Sequence, residues 1–131
     1  MKLISAMAML LLSGVLSGVL TGCSVFGNSS GTMDKIQFDL NRLDELGLQG
    51  QPDSLLALSY EFCIPDNINY VSEVMAIDPT VVVYKQSPGR IGCTEQEYLC
   101  IGNTATDDYL EVLKNLSKLR YVKEIREAFF E

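Results

Sequence analysis

The residues of this chain best equipped for covalent chemistry are its four cysteines, Cys23, Cys63, Cys93 and Cys100. A thiolate is a nucleophile, a metal ligand and half of a disulfide, so spacing and surroundings decide which role is open to each. Cys93 and Cys100 do not have the C-x-x-C spacing of thioredoxin-like enzymes. The chain contains no histidine, which removes the commonest general base near neutral pH and the commonest metal ligand. The usual hydrolase triads and zinc sites therefore lack a part, and no catalytic set, metal site or cofactor is expected. Three further side chains are candidate ligand contacts: the carboxylate Glu61, the cation Arg90 in SPGRIG, and Tyr98. The plainer reading is that a single carboxylate lacks the second positioned group that acid and base work needs, and that such an arginine is solvated or paired with a carboxylate.

Cys23 differs from the other three in what precedes it. The chain opens MKLISAMAMLLLSGVLSGVLTGC, one cationic residue, Lys2, followed by an apolar run from Leu3 to Leu20 broken by Ser5 and two Ser-Gly pairs. A stable transmembrane helix needs about 20 predominantly apolar residues, and this run is short with Gly and Ser inside it. It reads instead as a secretory core behind a short charged start.

Leu20, Thr21, Gly22 and Cys23 resemble the lipobox of bacterial lipoproteins. In that class the cysteine thiol receives a diacylglycerol and the signal peptide is cut just before it. The resemblance implies that residues 1–22 are removed, that Cys23 is the lipidated first residue, and that the protein is anchored in the bacterial cell envelope. Ser24 is not the aspartate that favours inner-membrane retention in enteric bacteria, so the outer membrane facing the periplasm is the expected location. The alternative is an ordinary signal peptide, with Cys23 free or bridged.

Beyond Cys23 there is enough chain for one small domain with a real core and too little for two. The whole sequence carries 10 basic and 17 acidic residues. That balance argues against nucleic acid as a partner, which needs a basic footprint. The stretch SVFGNSSGT after Cys23 is rich in Gly, Ser and Asn, so residues 23–32 read as a flexible tether and residues 33–131 as a single α+β domain.

The elements of that domain follow from periodicity. Met33, Ile36, Leu40 and Leu43 fall at helical spacing, with Thr32 to cap and Gly47 to end a helix from Met33 to Leu46. The alternation Leu56, Leu58, Tyr60, Phe62 against Ala57, Ser59, Glu61, Cys63 predicts a half-buried strand stopped by Pro65. Asp66 or Asn67 can cap a helix with the stripe Ile68, Val71, Val74, Met75. TVVVYK and EYLCIGN are further strands. Thr104 or Thr106 can cap a second helix with Tyr109, Val112, Leu113 and Leu116 on one face, begun by Asp107 and Asp108, which complement its dipole. The segment YVKEIREAFFE fits helix or strand, and its position favours a strand at least through Ile125. The order is a helix followed by β-α-β-β-α-β, the ferredoxin-like arrangement, a four-stranded antiparallel sheet with both helices on one face.

In that sheet Cys63 and Cys100 meet on the open face if Leu99 and Ile101 face the helices, which makes Cys63 to Cys100 the favoured disulfide. Cys93 can instead reach either from its turn-rich connection. Whichever bridge forms, one thiol is left, and Cys93 is the candidate, with Arg90 nearby to lower its pKa.

The open face, carrying Glu61 and Tyr98, is left for a partner or for the helix from Met33 to cover. The expected function is therefore a membrane-anchored, non-enzymatic accessory or binding module with an envelope protein as its possible partner. The alternatives are a thiol-based redox enzyme or sensor and a small-ligand binder using the open face.

Overall fold

The computed structural model describes residues 33–130. The expected signal segment 1–22, Cys23 and the expected tether 23–32 lie outside the described residues. Among the described residues the architecture is mixed α+β: two α-helices, a two-stranded sheet and a four-stranded antiparallel sheet. No described helix is long and apolar enough to cross a membrane.

In chain order the elements are β1 (Leu48–Gln51), β2 (Ser54–Ala57), β3 (Ser59–Pro65), helix α1 (Ile68–Ile77), β4 (Val82–Tyr84), β5 (Glu97–Asn103), helix α2 (Tyr109–Ser117) and β6 (Arg126–Glu127). The large sheet runs β4-β5-β3-β6, every neighbour antiparallel. Its central pair is β3 and β5, registered from Ser59 opposite Asn103 to Pro65 opposite Glu97.

Period-two alternation explains which side of β3 is buried by the helices. Leu58, Tyr60, Phe62 and Ile64 pack in one cluster with Val71 and Val74 of α1 and Val112, Leu113 and Leu116 of α2. Side chains of this size contribute about 1.5–3 kcal/mol each when fully buried. Asn67 caps α1 by accepting the Asn69 N–H at 2.8 Å. Helix α2 starts after Asp108 without a side-chain cap from Thr104, Thr106 or Asp108, and the Thr104 hydroxyl is used elsewhere.

That other use is a joint. Thr104 Oγ1 accepts the Leu58 N–H at 2.9 Å and donates to the Gly47 carbonyl at 2.6 Å, fully buried. It ties the β1–β2 hairpin to the main sheet where the chain breaks at Leu58. Gly47 has φ +76°, and a Cβ there would stand 1.8 Å from the Thr104 carbonyl oxygen. No residue with a side chain fits.

Three expectations need correction. Residues 36–46 are not an α-helix: Ile36 forms a parallel bridge to Ile125, and the helical element there is the 3₁₀ segment Leu40–Arg42. The apolar spacing is real, since Leu43 is buried and Ile36 and Leu40 pack on the core, but a bridge and a short 3₁₀ turn bury them instead of an α-helix. The predicted first strand is two elements, so Leu56 lies in the hairpin, 68% exposed, rather than in the core. The final strand comes just after Ile125, at Arg126–Glu127, pairing with β3 at Tyr60 and Glu61.

Candidate functional site

The two faces of β5 carry the chemistry. Register sets Cys100 opposite Phe62 and Leu99 opposite Cys63, so Cys100 shares the helix face and Leu99 the open face. The expected Cys63–Cys100 bridge is therefore not the one present. Cys63 is bonded to Cys93, with Cα atoms 5.5 Å apart, and among the described residues the free thiol is Cys100. A one-residue change of parity moves every side chain of a strand to the other face. Here it exchanged the roles assigned to Cys93 and Cys100.

Cys100 is wholly buried, and burial pushes its thiol up to about 12, with the negative charge of Asp78 acting in the same direction. Reactive cysteines are accessible with depressed pKa values. Nearby, Asp78 accepts from the Tyr60 hydroxyl and from the amide and hydroxyl of Thr80. Burial, then Asp78, raises the Tyr60 pKa far above its ordinary value. This buried cluster is satisfied and closed.

The open face is different. The connection between β4 and β5 folds back over it, stapled to β3 by the Cys63–Cys93 disulfide. The Ile91 N–H donates to Glu61 Oε1 at 2.6 Å. Gly89, at φ +63°, lies so close that a Cβ would stand 2.7 Å from Leu99 Cδ1. Leu99 is thereby 2% exposed although no helix covers it.

Beside this cover lies a cleft of about 330 Å³ lined by Glu61, Arg90, Tyr84, Leu99, Phe129 and Phe130, among others. Two of the three candidate contacts, Glu61 and Arg90, are brought together there. Tyr98 is not, because it pairs opposite Ile64 on the helix face, where the Lys85 ammonium sits 5.7 Å from its ring centroid. Tyr84, Phe129 and Phe130 were not foreseen as a group. The consecutive pair Phe129-Phe130 was the available signal, since adjacent residues of an extended chain cannot both point into one core.

Among the described residues no group of three or more His, Cys, Asp or Glu side chains is placed to hold a metal ion. No family model, curated protein or solved structure matches the chain.

Proposed function

We propose that this chain is a lipid-anchored envelope protein whose folded domain is a non-enzymatic binding module, with the open sheet face as its working surface. The anchor rests on the resemblance of Leu20-Thr21-Gly22-Cys23 to a lipobox. Ser24 in place of the retention aspartate favours outer-membrane attachment facing the periplasm where sorting follows the enteric rule. The domain reading is a ferredoxin-like β-α-β-β-α-β unit, supported by the strand order β4-β5-β3-β6.

The observation that carries the binding reading is the cleft. Phe129 and Phe130 are 58% and 69% exposed beside a carboxylate and a guanidinium, on the face the helices leave uncovered. Large aromatic groups in water next to placed polar groups are what binding sites present. The thiol-enzyme alternative has less support, because the free cysteine among the described residues is Cys100, buried on the other face.

Two measurements test the proposal. Mass spectrometry of the protein extracted from its native membrane should find a mature amino terminus at Cys23 carrying acyl mass, and an unmodified Cys23 would overturn the anchor. A chain with Phe129→Ser and Phe130→Ser should fold and anchor normally yet reproduce the phenotype of deletion. Ile68→Ser, equally exposed on α1, should not, and the reverse result would move the working face.

A further inference from the structure

The carboxylate in the cleft is unusual for its setting. Glu61 is 4% exposed, in the middle of β3, in register with Ile101 of β5 and Arg126 of β6. A carboxylate taken out of water needs compensation at both oxygens. Oε1 has it in the Ile91 N–H. Oε2 has no hydrogen-bond partner among the described residues, and Glu61 lines the cleft. Gly89 keeps it open, since a Cβ at that position would stand 3.2 Å from Oε2. Among the described residues the ion pair of Arg126 is with Glu124, at 3.1 Å, and none joins it to Glu61.

Around this acceptor the walls are aromatic and aliphatic. Ring faces carry negative potential and attract cations, most strongly where water is partly excluded. A net charge of -7 favours a positive ligand further. Arg90 also lines the cleft and is itself engaged. Its charge selects against a second positive group on the ligand. The cleft is at the small end of ligand pockets.

We propose that this cleft binds a small amphipathic organic monocation, a primary ammonium on an aryl or alkyl body. The ammonium donates to Glu61 Oε2, and the apolar body lies between Phe129, Phe130 and Tyr84. This rests on the open-face binding reading and names its ligand class.

The test is a titration of the ¹⁵N-labelled full chain in nonionic detergent, with the Ile91, Phe129 and Phe130 amides as reporters. Three probes share one body: phenethylamine, 2-phenylethanol and 3-phenylpropionate. Phenethylamine should give saturable shifts at those amides and bind at least about tenfold more tightly than the other two, as expected for a hydrogen bond to a charged group. Glu61→Gln, whose amide oxygen can still accept the Ile91 N–H, should abolish the preference for the amine over the alcohol. Phe130→Ala, at an exposed position, should weaken all three probes without affecting the fold. Preference for 3-phenylpropionate or the alcohol would overturn the ammonium assignment while sustaining a binding cleft. Absence of saturable shifts with every probe would overturn both.

Discussion

The two faces of the four-stranded sheet are buried by different means. On one face two helices press Val71, Val74, Val112, Leu113 and Leu116 onto Tyr60, Phe62 and Ile64, a contiguous apolar core. On the other, a loop covers Leu99 and Glu61 and is held by one disulfide and a short hydrogen bond from Ile91 to Glu61. The first face draws its stability from close packing, which fails gradually as atoms are removed. The second depends on a covalent tie, and its edge remains open as the aromatic cleft. A binding surface is more readily built on the second, because rearranging a loop does not require repacking a core.

The largest effect should come from the packed face. Phe62→Ala, at a wholly buried position, is expected to cost about 3–5 kcal/mol, read as a loss of urea midpoint at unchanged slope. A cost near zero would mean that the helix face is not the main core. Replacing Cys63 and Cys93 together by alanine frees a disulfide of sequence separation 30 and should cost about 3–4 kcal/mol through the entropy of the unfolded chain. The comparison predicts where that loss is felt. Hydrogen exchange should accelerate first at the Ile91 and Leu99 amides, with the α1 and α2 amides opening only at global unfolding. Uniform acceleration would show that the two faces are one cooperative unit.

A smaller effect separates the faces by pH. The Cys100 thiol has an ordinary value of 9.0 and is pushed up to about 12 in the fold by burial and by Asp78. Between those values the unfolded chain holds fewer protons than the folded one, so stability falls as pH rises. The contribution is fully present below pH 9 and gone above about 12. Cys100→Ala should make the fall in stability across this interval shallower by up to about 1.4 kcal/mol per pH unit. Burial raises Tyr60 as well, so some decline persists in the variant. An unchanged slope in Cys100→Ala would place the thiol in a more solvated setting than the helix face provides.

Much of β3 and the helices was legible because each has one apolar side facing the core. In Tyr60-Glu61-Phe62-Cys63-Ile64 the apolar residues recur at every second position, and the stripes Val71, Val74 and Val112, Leu113, Leu116 recur at helical spacing. Strand β5 was found with its correct ends but the wrong parity. In Tyr98-Leu99-Cys100-Ile101-Gly102 both faces are apolar, since helices bury one and the loop shields the other, and alternation then loses its sign. The segment after Met33 misled for a related reason. Helical spacing of Ile36 and Leu40 says that they are buried and leaves the backbone that buries them undecided. Two candidate contacts met in one cleft, but Tyr98 was assigned by the same wrong parity.

Local periodicity, a helix cap at Asp66 or Asn67, the turn signals around Pro88 and Gly89 and the lipobox-like motif at Cys23 were properties of the amino-acid sequence alone, because each depends on neighbours within a few residues. The disulfide partner of Cys63, the burial of Cys100 and the meeting of Glu61 with Phe129 and Phe130 depend on strand register and on the path of a loop. Those arise from contacts between residues far apart in the chain, and only the tertiary structure decided them.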